Sequence, residues 1–194
     1  MRRLNPTLVQ PLWVSLALWF LFTVYWSAAA RKTAPTQTAE PRGSFLFHQA
    51  LLNVSLLLLF LRIPGLADRR WLPVTPFLVA LGIVIQAAFM WLALWARRHL
   101  GQNWSAAITA KVGHQLIRSG PYRIVRHPIY SAMLGMYVGT AVASGEWHAL
   151  VGVIILALAY WRKIRLEERN LRTVFGDEFD AFRRNTWALI PWLI

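Results

Sequence analysis

The chain has 194 residues, of which 57% are hydrophobic and only 15% charged; it carries eleven Trp, no Cys and a formal net charge of +13. Without cysteine it can form no disulfide, hold no thiolate-bound metal and use no Cys nucleophile. The apolar residues lie in long runs, so the positive charge reads as cytoplasmic loops beside anionic membrane lipids rather than as a nucleic-acid surface.

The start, MRRLNPTLVQPLW, has the basic flank of a signal peptide. The apolar stretch behind it is too long for one, and Ser27 to Ala30 lead into no obvious mature domain, so it reads as a retained span. Five apolar segments follow in order: Leu8 to Ala29, Phe45 to Leu61, Val74 to Ala96, Ile129 to Ser144 and Trp147 to Trp161. A hydrocarbon core needs about 20 helical residues. The first and third segments meet this and the second nearly does. The last two are short and separated only by Gly145 and Glu146, which predicts a tight helical hairpin continued by polar helix or by snorkelling Arg162 and Lys163. The expected fold is an all-α integral membrane protein with five transmembrane helices. A long cytoplasmic loop precedes the fourth, and the C-terminal tail is helical and cytoplasmic. It forms one membrane domain over 1–194, with three N-terminal spans in 1–96 and the loop, hairpin and tail in 97–194.

Orientation follows from Lys and Arg. The segments before the second and fourth spans, with the tail, hold sixteen of the twenty-one, placing the N-terminus outside and the C-terminus in the cytoplasm. Arg2, Arg3, Arg69 and Arg70 pull the other way. The first connection, RKTAPTQTAEPRGS, is a polar loop with no visible chemistry. The third, Arg97 to Pro128, is far longer than a bundle turn requires, and such loops are commonly functional. It contains Trp104, Ile108, Val112, Leu116, Ile117, Tyr122 and Val125, which suit it to packing.

In the tail the fifth helix is expected to continue through IRLEERNLRTVF, stop at Phe175-Gly176-Asp177, and give way to a short helix from about Glu178 to Asn185. Ile164, Leu171 and Phe175, widened by Val174, form one stripe at 100° per residue, bordered by Glu167 and Glu168. Arg162, Arg165, Arg169 and Thr173 lie opposite. The final TWALIPWLI is apolar enough to fold back on the bundle or the bilayer.

If the long loop and the tail share one end of the bundle, two charge clusters meet there. Arg123, Arg126 and His127 offer donors, Pro128 suits the first helical turn, and the helix N-terminus adds a positive dipole end. Together they would hold a carboxylate or phosphate. Glu167 and Glu168 could accept bonds from an ammonium group or ribose hydroxyls, so a zwitterionic nucleoside fits the pair. Plainer readings compete. The arginines could be positive-inside anchors, His127 a satisfied loop histidine and Tyr130 an interfacial anchor. Glu167 with Lys163, and Glu168 with Arg172, could be ordinary helix-surface pairs. On the second span His48, Gln49 and Asn53, and on the third Gln86, place polar groups at membrane depth. Those hint at an acceptor cavity, with interhelical hydrogen bonding as the alternative.

GPYRIVRHPIYSAMLG, preceded by LGQNWS at Leu100 to Ser105 and followed by LEERNLRTVFGDEFDAF, closely resembles the isoprenylcysteine carboxyl methyltransferase family. These are integral membrane methyltransferases related to phospholipid N-methyltransferases. The resemblance covers Leu100 to about Trp192 and rests on RHPxY, a spaced Glu-Glu and a following FGxxF/Y in combination. It implies S-adenosylmethionine as cofactor, bound on the cytoplasmic side between the RHPxY segment and the Glu-Glu helix. The implied contacts are His114, Arg126, His127, Pro128, Tyr130, Glu167 and Glu168, with Glu167, Glu168 and Arg126 as the catalytic candidates. One departure is Ser131-Ala132, where the family commonly has Gly as the second residue. Methyl transfer is an in-line displacement that needs alignment and a dry site. A carboxylate acceptor is already ionised, whereas an amine would need a base such as Glu167, Glu168 or a histidine. The expected function is S-adenosylmethionine-dependent methyl transfer to a small lipophilic or lipid acceptor, through a carboxylate, amine or thiol, in a prokaryotic inner membrane. The alternatives are an NADPH-dependent reductase like the sterol reductases and a non-catalytic membrane accessory protein.

Overall fold

In the computed structural model, residues 6–30, 33–61, 70–111, 113 and 115–192 are described. Six α-helices run in chain order: α1 (Pro6–Ala30), α2 (Arg42–Phe60), α3 (Pro76–Leu100), α4 (Pro128–Ser144), α5 (Trp147–Phe175) and α6 (Asp177–Arg184). Each of the five apolar runs becomes a helix, and local chemistry sets the ends. Thr75 caps α3 by accepting from the Leu78 amide at 3.2 Å, and Pro76 fills the first turn, where its missing N–H costs nothing. Gly145, at φ 65°, closes α4 and turns the chain straight into α5. Gly176, at φ 53°, stops α5 where the sequence predicts, and α6 begins at Asp177, one residue before the expected start.

Among the described residues, three helices are long and apolar enough to cross a membrane, over Trp13–Ala30, Arg42–Phe60 and Pro76–Asn103. Their outward faces are greasy: Trp13, Phe20, Leu57, Phe77, Val84 and Trp91 are all exposed, as are Ile154 and Leu158 on α5. Such a continuous apolar exterior suits hydrocarbon and not water.

Helix α4 runs through the middle of the bundle. Small residues let α3 approach it backbone to backbone. A Cβ on Gly82 would sit 2.4 Å from the Gly139 carbonyl oxygen, and one on Gly135 would meet the Phe89 ring at 2.1 Å. Polar ties cross the same interior. Ser15 Oγ donates to Gln86 Oε1 at 2.7 Å, Gln86 Nε2 donates to the Ser15 carbonyl at 3.1 Å, and Trp19 Nε1 donates to Thr140 Oγ1 at 3.0 Å. Gln86 thus takes the alternative reading: it joins α3 to α1.

The chain is not wholly α-helical. The first connection, read as a plain polar loop, contains strand β1 (Thr36–Ala39), which pairs antiparallel with β2 (Thr109–Lys111) from the long third connection. Glu40 fastens this ribbon: its amide donates to the Ile108 carbonyl at 2.9 Å and its Oε1 accepts from the Ile108 amide at 3.1 Å. Strands this short carry no alternation to read, and their pairing joins segments far apart in sequence.

The apolar tail does fold back on the bundle. Arg126 and His127 amides donate to the carbonyls of Trp187 and Ala188 at 2.7 and 3.1 Å, and Trp187 returns a bond to Ile124 at 3.0 Å. Ser131 Oγ donates to the Leu189 carbonyl at 2.6 Å. At the departure from the family pattern, Ser131 therefore pins the tail and Ala132 is fully buried.

Candidate active site

The ends of α1 and α3, the starts of α2 and α4, the C-terminal turns of α5 and the tail gather at one end of the molecule. Arg97 organises this end. Its Nη1 donates to the Gly101 carbonyl and its Nη2 to the Ala29 carbonyl, both at 2.7 Å, satisfying two helix termini with one cation. The same guanidinium lies over the Trp104 ring, 4.7 Å from its centroid.

The two charge clusters meet here, 42 residues apart in sequence, but they meet each other. Arg126 Nε donates to Glu168 Oε1 at 2.8 Å, and its Nη1 donates to the carbonyls of Arg183, at 3.2 Å, and of Thr186. His127 Nε2 lies 3.3 Å from the same Glu168 oxygen, and Arg183 approaches the other carboxylate oxygen at 3.6 Å. Burial alone would raise the Glu168 carboxyl, but hydrogen bonds from His127 and Arg126, with their charges, hold it down at about 2. Tyr130 donates its hydroxyl to Glu167 Oε2 at 2.7 Å, and His127 Nδ1 lies 3.8 Å from that oxygen. The surface-pair reading of the two glutamates is thereby replaced among the described residues. Arg172 pairs with Asp180 at 3.0 Å, and Lys163 donates to the Ala106 carbonyl.

Arg126, His127, Tyr130, Lys163 and Glu167 border a cavity of about 710 Å³, within the roughly 300–1,000 Å³ of drug-sized and cofactor sites. A row of rings crosses it. His127 stacks on Tyr130 at 5.4 Å between centroids, Tyr130 on Tyr160 at 4.5 Å, and His48 of α2 follows at 6.1 Å from Tyr160. At one end lie Glu167, Asn170, Arg126 and His127; at the other lie Gln49, Asn53, Leu56 and Phe60 with Trp19 and Phe22 of α1. The segment from Asn103 to Thr109 also lines it. Tyr122, from the short 3-10 turn Gly120–Arg123, stays a neutral phenol, because burial and then the nearby Glu167 push its pKa well up.

Of the residues read from the sequence, Arg126, His127, Tyr130, Glu167, His48, Gln49 and Asn53 line this one space. Glu168 and Pro128 stand behind it: the carboxylate orients Arg126 and His127, and the proline opens α4. Gln86 is engaged with Ser15 and does not line the cavity. His114 lies outside the described residues. Sequence reasoning missed Tyr160 and the buried role of Lys163, for which the sequence offers snorkelling or a surface pair with Glu167 and which is only 6% exposed. The signal was present: Tyr160, Lys163, Glu167 and Asn170 recur at helical spacing on one face of α5.

Such a bundle, with membrane-length helices and a mostly apolar cavity that carries a few polar and charged groups at one end, has the form of an integral membrane protein. The phospholipid methyltransferase family model matches residues 77–178, more than half of the chain, so the chain belongs to that family. It is 30% identical over 97 residues to the protein-S-isoprenylcysteine O-methyltransferase of Schizosaccharomyces pombe, covering 47% of this chain and 40% of that one. It is 34% identical over 130 residues to the cobalt-zinc-cadmium resistance protein CzcN of Cupriavidus metallidurans, covering 65% and 54%. With methanethiol S-methyltransferase 1 of Bradyrhizobium diazoefficiens it shares 26% identity over 193 residues, covering 92% and 66%. The matches thus span from 40% to 66% of the length of these three relatives.

Proposed function

We propose that this chain transfers a methyl group from S-adenosylmethionine to a small lipophilic acceptor at the cytoplasmic face of a membrane. One observation carries the reading: a single cavity joins a polar end, built from RHPxY and Glu167, to an apolar end built from α1 and α2. On this reading α1 to α5 all span, the N-terminus lies outside, and the Arg-rich end with the tail faces the cytoplasm.

The residues present fit the cofactor. Glu167 is a carboxylate acceptor for hydroxyl or ammonium donors, Tyr130 and Tyr160 add aromatic surface to the wall, and the volume suits a nucleoside with room beside it. When bound, S-adenosylmethionine supplies an electrophilic methyl on a sulfonium. The chain itself provides orientation and dryness. Tyr130 fixes the Glu167 carboxylate and also lines the cavity, while Glu168 fixes the His127 ring and the Arg126 guanidinium from behind and is a positioning residue. The aromatic row and Trp26 and Trp104 keep water from the space between the two ends, where charge dispersal is favoured. For an acceptor that arrives protonated, Glu167 is a carboxylate base on the cavity wall.

Titration calorimetry of the protein in lipid nanodiscs tests this. S-Adenosylmethionine should bind saturably, and Glu167→Gln or His127→Ala should weaken it at least about tenfold, the scale of one lost charge-assisted hydrogen bond. Binding of NADPH alone would replace the proposal with a reductase. Binding of neither would make the protein a non-catalytic accessory.

A further inference from the structure

Arg126 and Lys163 are the two Lys or Arg side chains that line the cavity among the described residues. Arg126 already has a counter-charge in Glu168 and also donates to the carbonyls of Arg183 and Thr186. Lys163 is different. It is buried, and no carboxylate among the described residues lies within salt-bridge distance. Among the described residues its ammonium donates one hydrogen bond, to the Ala106 carbonyl. An ammonium has three donors, and burying it without a counter-charge is costly. Burial accordingly lowers its pKa, with Glu167 and Glu40 pulling weakly the other way from a distance.

His48 stands beside it. It is 2% exposed, and its Nδ1 is buried with no hydrogen-bond partner among the described residues. Both side chains line the cavity, and the ring row ends at His48. Along α5, Lys163 precedes Glu167 by one turn, about 6 Å of rise. It therefore lies on the side of the cavity shared with α2, where Leu52, Leu56 and Phe60 supply apolar surface. An uncompensated cation and an unpartnered ring nitrogen at the mouth of an apolar compartment lack one thing, an anion.

We propose that Lys163 and His48 form an anion subsite that receives the acidic head group of the lipophilic acceptor, whose chain extends along α1 and α2. Resting on the methyl-transfer reading, this narrows the acceptor to a long-chain acid and sets an amine aside, because a cationic head would face Lys163. The rival occupant is the cofactor's own carboxylate, and the two are separable by experiment.

The probe is 9,10-dibromostearate, whose bromines quench Trp fluorescence; Trp19, Trp26 and Trp104 all line the cavity. Its methyl ester has the same chain and a neutral head. In nanodiscs the acid should bind at least tenfold more tightly than the ester. Lys163→Gln should erase that difference and Lys163→Arg should restore most of it. S-Adenosylmethionine affinity should change less than threefold in Lys163→Gln. Equal binding of acid and ester by the unaltered protein would overturn the subsite, whether or not the variants fold. So would loss of S-adenosylmethionine binding in Lys163→Gln with acid preference retained, which would make Lys163 a cofactor anchor. If the acid preference holds but S-adenosylmethionine never binds, the subsite stands and methyl transfer falls.

Discussion

Glu168 concentrates the electrostatics of the site in one carboxylate: Arg126, His127 and Arg183 all converge on it. Its carboxyl is held at about 2 against an ordinary 4.5. A group depressed in this way stabilises the folded state fully above about pH 4.5, and that contribution is lost as pH falls toward 2. Glu168→Gln should therefore cost about 3 kcal/mol near neutrality by stranding its partners. The gap to the unaltered protein should narrow below pH 4.5 in detergent thermal melts. A constant gap across that range would show that the carboxylate is not ionised in the way described. Tyr130→Phe isolates a different link, because it keeps the ring stack and removes only the bond to Glu167 at 2.7 Å. We expect cofactor affinity to fall about tenfold with stability reduced by about 1 kcal/mol. At this scale the sequence was partly readable. RHPxY and the acidic pair named residues that the fold brings together, yet nothing in spacing showed that Arg126 and Glu168 satisfy each other. Lys163 was misread because i, i+4 spacing to Glu167 looks the same whether the lysine points out or in.

Helix α4 depends on contacts that leave no room. Gly82→Ala would force a Cβ to within 2.4 Å of the Gly139 carbonyl and 2.6 Å of the Ala143 amide. Backbone cannot move aside cheaply, so a loss of about 2 kcal/mol or more is expected. Gly43→Ala is the matched control. It meets nothing within 4 Å in the first turn of α2 and should be neutral or stabilising by up to about 1 kcal/mol. Comparable losses in both melts would contradict the close α3–α4 packing. The helices themselves were legible because apolar runs and their Gly and Pro punctuation are local signals. The β1–β2 ribbon was not, since TQTA and TAK acquire meaning only from each other across most of the bundle. Val174 widened the stripe on α5 in sequence but is exposed in the fold; an apolar side chain at a stripe's edge is not obliged to find a partner.

The molecule as a whole is organised with its polar chemistry at one end and apolar faces along its length. The chain contains no cysteine, so single-cysteine variants report sidedness cleanly. Thr173→Cys, on the exposed face of α5, should react with a membrane-impermeant maleimide only from the cytoplasmic side. Arg70→Cys, at the far end beside Glu146, should react only from the opposite side. Labelling of both from one side would refute the five-span orientation. The central claim is that the cavity bordered by Tyr130, Glu167 and the 103–109 segment is where the methyl donor sits. A structure of the protein with S-adenosylhomocysteine, the demethylated product, tests it most directly. The account predicts the ligand inside that cavity, in contact with Glu167 and the Tyr130 ring, with Lys163 left free beside it. A product molecule bound elsewhere, or none at millimolar concentration, would contradict it.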